Sequence, residues 1–199
     1  QKAFERVLEH HGISPKNVNP EDIRIVGVTA KQNIKNMKSK HRLEPSIDEL
    51  LDLRSSIYDK LLDEGVEPMP GLRDLIKSLK QNGIKIGVAS SATRENIEKV
   101  LKMIGLDNTF DIIVSGAEVK NSKPAPDVFL KAAQDLDVNP SNCIVLEDAY
   151  SGVIAGKAAG STVIAIPNKY TINDDFSEAD HIFRSLTELD FDKIQKLIK

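Results

Sequence analysis

The chain has 199 residues, 40% of them hydrophobic, and a formal net charge of -3, so it can bury a substantial core as one domain with a smaller appendage. Because its lysines and acids are interspersed, we expect no nucleic acid and no anionic membrane surface as its main partner. The longest apolar runs, such as residues 112–114 and 163–166, are far shorter than the roughly 20 residues of a membrane span.

The first 68 residues show helical periodicity and almost no strand pattern. Apolar residues recur at helical spacing in residues 1–13 and 47–65, and a glycine ends each stretch. We therefore predict a small all-helical N-terminal domain over residues 1–68. The sequence opens in helical rhythm at Gln1, without Met and without a signal-peptide profile, so we also expect residues upstream of it in the natural protein.

From residue 69 onward, short apolar runs alternate with amphipathic helices such as residues 94–105. Repeated strand–helix order predicts an α/β fold, with a Rossmann-like parallel sheet and helices on both faces, over residues 69–199. Unbroken apolar runs are typical of strands that are covered on both faces. The predicted strands are residues 84–90, 110–116, 143–148, 162–167 and 179–183.

Cys143 opens the third of these runs and is the one cysteine of the sequence. A single cysteine excludes an internal disulfide and a cysteine-based metal cage, and it fits a reducing compartment, so we expect a cytoplasmic protein. No electropositive helix start adjoins Cys143 in the sequence. We therefore interpret it as a packing thiol rather than a nucleophile.

Two of the predicted strand–helix connections carry groups that suit an anion. Ligands bind beyond the carboxyl ends of the strands in an open parallel sheet. Ser90 and Ser91 close the first run, where hydroxyls and free N–H groups can hold phosphate oxygens. Lys123 precedes a helix start, where a cation is unfavourable unless an anion lies near it. Helix capping by the serines and a solvated turn at the lysine are the ordinary alternatives.

Glu147 and Asp148 are adjacent carboxylates at the end of a buried strand. Burying two like charges is costly without a cation, and a hard metal with oxygen ligands, such as Mg²⁺, meets this need. Because successive strand residues point to opposite faces, we expect one carboxylate to bind the metal directly and the other through water. Small residues at 152–160 would let the next helix pack closely. Neither familiar glycine-rich nucleotide loop occurs in the sequence.

The stretches IKIGVASSAT, NSKPAPDVFLKAA and IVLEDAYSGVIAGKAAG, in this order, resemble the haloacid dehalogenase-like phosphohydrolases, in their beta-phosphoglucomutase-like branch with a helical cap. The resemblance covers nearly the whole chain and implies that residues 1–68 are the cap. It also implies that Ser90 binds the transferring phosphoryl group, that Lys123 neutralises its charge, and that Asp148 ligates Mg²⁺. Glu147 would lie in the outer shell of the metal. The family's reaction passes through an aspartyl-phosphate.

One motif of this family is missing. The family's first strand ends in D-x-D-G, which supplies the nucleophilic and the acid/base aspartates, and the sequence contains no D-x-D-G. We expect this strand upstream of Gln1, and we expect the chain without it to be inactive in isolation. In the family the strand lies in the middle of the sheet. Its loss would leave unpaired backbone groups on both neighbouring strands, at roughly 1–3 kcal/mol each.

Three further basic residues are candidates for binding the substrate: Lys31, Lys60 and Arg94. The stretch GVTAKQNI, residues 27–34, resembles the family's substrate loop, but Ala30 replaces the arginine of the sugar-phosphate mutases and Lys31 follows it. Lysine lacks the bidentate fork of arginine. Lys60 matches another basic cap position, and Arg94 follows the phosphate-site turn, although each is also an ordinary exposed helix residue.

We therefore predict a Mg²⁺-dependent phosphatase for a small phosphorylated metabolite, with a sugar phosphate as the expected substrate, acting as a monomer or weak dimer. A hexose-phosphate mutase is the second hypothesis, which Ala30 disfavours. A catalytically silent domain that binds phosphate or a partner is the third hypothesis, which the missing nucleophile favours.

Overall fold

The computed structural model describes residues 2–23 and 29–197, apart from the side chains of Pro20 and Glu21. The chain folds as two compact units, Gln1–Val66 and Glu67–Lys199. The domain boundary predicted from the sequence lies two residues later, after residue 68. Within the described residues, none of the helices has the length and apolar character of a membrane-spanning segment.

The first unit consists of helices in the part that the structure describes. Its core is formed by side chains from all four of the helices given below, and Leu8, Ile34 and Leu50 are completely buried. The apolar stripe predicted at the start of the chain lies in this core. The helices are α1 Lys2–His10, α2 Pro20–Ile23, α3 Ala30–His41 and α4 Ile47–Asp63, with a 3-10 turn at Pro15–Asn17.

Hydroxyl side chains fix the starts of the two long helices in this unit. Thr29 Oγ1 accepts a hydrogen bond from the backbone N–H of Gln32 in the first turn of α3. Ser46 and Glu49 form a capping box at α4, in which each side chain accepts from the backbone N–H of the other. These caps satisfy N–H groups that have no partner inside a helix. Local sequence therefore sets where both helices begin.

The second unit contains short parallel strands, each within one of the predicted apolar runs. The strand β1 pairs with β2, and β4 pairs with both β3 and β5, all in parallel. The predicted α/β class is confirmed. The strands are β1 Gly87–Ser90, β2 Ile112–Ser115, β3 Ile144–Glu147, β4 Thr162–Ala165 and β5 His181–Ile182.

Helices of the second unit cover both faces of β4. Ile164 packs in a cluster with side chains of α5 and α9, whereas its neighbours Val163 and Ala165 pack in a cluster with Val153 of α8. Successive strand residues point to opposite faces, so a strand buried on both sides carries apolar residues in succession, as β4 does at 163–165. The helices are α5 Leu72–Gln81, α6 Arg94–Met103, α7 Asp127–Asp135, α8 Tyr150–Ala158 and α9 Phe191–Gln195.

The strands form two sheets, β1–β2 and β3–β4–β5, rather than one continuous sheet. Among the described residues, β1 and β3 therefore each have one edge without a strand partner. The resemblance predicts an additional strand in the middle of the sheet, and these two edges are where it would pair. A single side chain, Lys123, contacts both strand ends: its ammonium donates to Ala89 O of β1 and to the Glu147 carboxylate of β3.

Candidate functional site

A cavity of about 460 Å³ opens at the carboxyl ends of β1 and β3. Five of the predicted site residues line it: Ser90 and Ser91 after β1, Lys123 before α7, and Glu147 and Asp148 at the end of β3. The carboxyl edge is where open parallel sheets bind their ligands. The structure thus brings together the hydroxyl, the lysine and the carboxylates that the sequence suggested for a phosphate site.

The turn after β1 is held by two serine hydroxyls. Ser90 Oγ accepts a hydrogen bond from the backbone N–H of Ala92 at 3.2 Å, and Ser115 at the end of β2 donates to Ala92 O at 2.7 Å. The hydroxyl of Ser90 acts as an acceptor here, so its proton can still be donated to an anion. Helix α6 is capped by Thr93, whose side chain accepts from the backbone N–H of Asn96, rather than by Ser90.

Lys123 is largely buried, with 10% of its side chain exposed. Its ammonium donates to Ala89 O at 3.2 Å and to the carboxylate of Glu147, and it lies 4.5 Å from the centroid of the Phe129 ring. An ammonium group has three N–H donors, and the described residues supply acceptors for two of them. The third can bind an anion in the cavity.

Glu147 pairs with Lys123 and is equally buried. Burial raises the pKa of the Glu147 carboxyl, and the neighbouring ammonium of Lys123 opposes this rise. The first turn of α8 packs directly on this carboxylate, because a Cβ atom at Gly152 would overlap it. The position of Glu147 therefore depends both on the lysine and on the absence of a side chain at residue 152.

Asp148 is held by Asn168, a residue that sequence reasoning missed. Asn168 Nδ2 donates to Asp148 Oδ2 at 2.6 Å, and the backbone N–H of Tyr170 donates to Asn168 Oδ1 at 2.7 Å. Asn168 follows directly on the predicted strand at 162–167. This is the same position relative to a strand that singled out the other site residues, so the signal that could have found Asn168 was present in the sequence.

The remaining predicted site residues lie elsewhere. Arg94 is exposed and is not among the residues that line the cavity; its guanidinium donates to the Glu118 carboxylate at 2.7 and 3.0 Å. Lys31 and Lys60 belong to the first unit, where they are exposed on α3 and α4. Part of the stretch 27–34, which suggested Lys31, falls outside the described residues. The roles of these three residues stay predictions.

The donors at the cavity suit a hard divalent cation. In residues 2–23 and 29–197, no group of three or more His, Cys, Asp or Glu is arranged to hold a metal. Mg²⁺, however, is often bound through only one or two carboxylates, and waters and substrate phosphate oxygens complete its octahedron. Asp148 fits this role, because the described residues engage only its Oδ2 atom. Ser90 and Lys123 fit the accompanying phosphate.

Several curated proteins with similar sequences are named phosphatases. The chain matches the model of the haloacid dehalogenase-like hydrolases over residues 1–166. It is 34% identical over 174 residues to the bifunctional riboflavin kinase/FMN phosphatase of Arabidopsis thaliana, covering 87% of this chain and 46% of that protein. It is 37% identical over 146 residues to hexitol phosphatase B of Escherichia coli, covering 73% and 66%. The chain thus spans about half to two thirds of these relatives.

Solved structures with a similar fold extend this likeness to nearly the whole chain. The beta-phosphoglucomutase of Clostridium difficile has a TM-score of 0.84 and 26% identity, over 99% of this chain and 88% of that one. CbbY of Rhodobacter sphaeroides, solved in complex with phosphate, has a TM-score of 0.80 and 29% identity, over 94% and 87%. The chain belongs to the haloacid dehalogenase-like hydrolases, in their beta-phosphoglucomutase-like branch.

Proposed function

We propose that this chain belongs to a Mg²⁺-dependent phosphatase that hydrolyses a small phosphorylated metabolite, with a sugar phosphate as the expected substrate. The observation that carries the proposal is the meeting of Ser90, Lys123 and Asp148 around one cavity at the strand ends. A hydroxyl donor, a cation and a hard-metal ligand are the groups that a metal-bound phosphate ester requires.

Each residue has a defined task in this reaction. The hydroxyl of Ser90 donates to an oxygen of the phosphoryl group. Lys123 brings positive charge to the same group from a site that is 10% exposed, where water screens the charge only weakly. Asp148 holds Mg²⁺, which, when bound, neutralises phosphoryl charge and helps to align the ester.

The covalent chemistry requires a carboxylate nucleophile. An aspartate of the family's D-x-D-G strand, which we expect upstream of Gln1, attacks phosphorus, and the bond from phosphorus to the ester oxygen breaks. The leaving alcohol receives a proton from the second aspartate of that motif. Water then hydrolyses the aspartyl-phosphate to release phosphate. The edges of β1 and β3 that have no strand partner among the described residues support the placement of that strand beside this cavity.

Named relatives support a sugar phosphate as the substrate class. Hexitol phosphatase B is 37% identical to this chain. A structure of CbbY from Rhodobacter sphaeroides, which is 29% identical, was solved in complex with xylulose bisphosphate. A hexose-phosphate mutase is the second candidate, since the beta-phosphoglucomutase of Clostridium difficile shares the fold. Ala30 disfavours the mutase, because alanine leaves a distal phosphate without a guanidinium fork.

Phosphate release from a panel of hexose, pentose and hexitol phosphates tests the proposal. The full-length protein should release phosphate with Mg²⁺ and not with EDTA. The Asp148→Asn variant should lower kcat/KM by about 10²–10³-fold, the usual cost of removing a main electrostatic contact in a transition state. Asp135→Asn, which changes an exposed carboxylate on α7, is the matched control and should retain activity.

The products distinguish the candidate functions. A phosphatase yields free phosphate and alcohol, whereas a mutase yields an isomeric sugar phosphate and depends on a bisphosphate activator. If the full-length protein turns over no phosphate ester in any form, the chain is a silent phosphate-binding or partner-binding domain. Wild-type turnover in Asp148→Asn would reject the proposed metal site.

A further inference from the structure

The side chain of Asn168 is fixed in one orientation by its own loop. The backbone N–H of Tyr170 donates to Asn168 Oδ1 at 2.7 Å, and a backbone N–H can only donate, so the atom facing it must be the amide oxygen. The backbone N–H of Asn168 donates in turn to Thr171 Oγ1 at 3.1 Å, and Thr171 is only 1% exposed. The backbone of Asn168 is therefore anchored to a buried residue, and its side-chain amide to the backbone of the same loop.

This orientation leaves the NH₂ group of Asn168 to face Asp148. An ionised carboxylate only accepts hydrogen bonds, and Asn168 Nδ2 donates to Asp148 Oδ2 at 2.6 Å. Among the residues that the structure describes, Asp148 Oδ1 accepts no hydrogen bond. The two oxygens of the carboxylate are thus unequal, because one is held by a rigid donor and the other is available for a metal ion.

A carboxylate that offers one oxygen suits some cations better than others. Mg²⁺ requires near-ideal octahedral geometry at 2.0–2.1 Å, and a single carboxylate oxygen can occupy one of its six positions. Ca²⁺ takes six to eight oxygens at 2.3–2.6 Å and often binds both oxygens of a carboxylate. We propose that Asn168 is a positioning residue that makes Asp148 a one-oxygen ligand and so selects Mg²⁺ over Ca²⁺. The inference rests on the proposed function, which takes Asp148 as the metal ligand.

Binding of Mg²⁺ and of Ca²⁺ to the metal-free full-length protein, followed by calorimetry, tests this selection. In Asn168→Ser the hydroxyl can still accept from the N–H two residues on, but it is too short to reach Asp148. We expect Mg²⁺ affinity to fall about 10-fold, as is common when a partner of a metal ligand is removed. Ca²⁺ affinity should hold or rise, so the ratio of the two affinities falls about 10-fold.

The matched control is Asn108→Ser. Asn108 is exposed and donates to the carboxylate of its neighbour Asp107 at 3.0 Å, the same kind of hydrogen bond away from the cavity. This variant should bind both cations like the wild type. Asn168→Asp is a second probe, which keeps the acceptor for Tyr170 but removes the donor to Asp148. The added carboxylate supplies oxygens that Ca²⁺ accommodates better, so the affinity ratio should fall again.

The outcomes separate the inference from the function on which it rests. If Asp148→Asn loses both cations while both Asn168 variants keep the wild-type ratio, the selection by Asn168 is overturned and the metal site stands. If Asp148→Asn binds both cations like the wild type, the metal site itself is overturned, and the selection with it. Melting temperatures in EDTA identify a variant that fails to fold. If one Asn168 variant fails, the affinity ratio of the other Asn168 variant tests the proposed selection.

Discussion

Two lysine–carboxylate pairs lie at opposite ends of the sheet β3–β4–β5, and they differ in the hydrogen-bonding groups that they leave without a partner. At the start of β5, both oxygens of Asp180 accept from Lys157 Nζ at 2.8 Å, and one also accepts from the backbone N–H of Val163 at 2.8 Å. At the end of β3, Glu147 pairs with Lys123 beside a cavity. Both oxygens of Asp180 accept hydrogen bonds from neighbouring groups. Glu147 instead belongs to a cluster in which one N–H of Lys123 and one oxygen of Asp148 have no hydrogen-bond partner among the described residues.

This difference separates a structural ion pair from the candidate binding site. A buried ion pair is weak evidence for stability, because desolvation of the two charges offsets their attraction. Lys157 and Asp180 use their hydrogen-bonding capacity to join α8 to the edge of the sheet. At the other end of α8, Lys123 retains a donor and Asp148 retains an acceptor. A ligand in the cavity can pair with this free donor and this free acceptor.

The largest effect on this comparison is expected when the two lysines are replaced one at a time. Lys123→Met should lower kcat/KM for phosphate release by about 10²–10³-fold, because the transition state loses a weakly screened positive charge. Lys157→Met should leave kcat/KM within about 3-fold and lower the melting temperature instead, since it removes only the pair with Asp180. Steady-state kinetics and thermal unfolding of the full-length variants measure both effects.

A double variant keeps this test independent of folding. Lys123→Met alone leaves Glu147 buried without its partner, at a cost of about 3 kcal/mol of stability. Adding Glu147→Gln removes that buried charge, so the double variant should recover stability but not activity. Equal losses of kcat/KM in Lys123→Met and Lys157→Met would show that the two ends of α8 do not differ in function.

Two glycines of α8 allow the same comparison within one helix. A Cβ atom at Gly152 would overlap the Glu147 carboxylate, whereas one at Gly156 would lie 2.8 Å from Val163 Cγ2 and 3.2 Å from Val145 Cγ1. We expect Gly152→Ala to push Glu147 away from Lys123 and to lower kcat about 10-fold, a positional effect of the kind that small displacements produce. Gly156→Ala should cost roughly 1–3 kcal/mol by overpacking the core.

Kinetics and unfolding again distinguish the two variants. Gly156→Ala should show a lower melting temperature but near wild-type kcat at a temperature where it is folded. If Gly152→Ala instead keeps full kcat and only melts earlier, Glu147 is a packing group and its contact with Lys123 does not matter for turnover.

The sequence predicted the strands, and it predicted that the residues of the candidate site would meet at one edge of the sheet, because both follow from local patterns. Unbroken apolar runs identified β3 and β4, and the rule that parallel strands share a carboxyl edge placed Ser90, Lys123 and Asp148 together. What it did not predict depends on tertiary distance. The pairing of Lys123 with Glu147 joins residues that are 24 positions apart, and no local pattern specifies such a contact.

Neutral groups were harder to identify than charged ones. Asn168 carries no charge, so the search for ionic groups at strand ends passed over it, although its amide fixes Asp148. The small residues of α8 were all assigned to close helix packing. That assignment holds for Gly156 against the core valines, but Gly152 makes room for a carboxylate instead. A side-chain volume pattern alone does not distinguish these two reasons for a glycine.

The smallest effect is expected at Arg94, whose guanidinium is bound to Glu118 on the exposed surface. We expect Arg94→Gln to change kcat and KM less than 2-fold, because the side chain is already engaged and exposed ion pairs contribute little. If Arg94 contacts the substrate, as its place after the phosphate turn suggested, KM should instead rise about 10-fold. Kinetics with the preferred phosphate ester distinguish these results.

The pH dependence of stability gives Arg94 an independent signature. Its hydrogen bond holds the pKa of the Glu118 carboxyl below the ordinary value of about 4.3. A depressed pKa stabilises the folded state above that ordinary value, and the contribution is lost as the pH falls through the folded-state pKa. The small difference in melting temperature between wild type and Arg94→Gln should therefore be present at pH 6 and shrink in acid, where only the hydrogen bond from Arg94 to Ile113 O at 2.6 Å is unaffected by the protonation of carboxylates. Glu118→Gln should show the same difference in melting temperature from the wild type. A difference that persists unchanged in acid would show that Arg94 stabilises the fold through something other than this carboxylate.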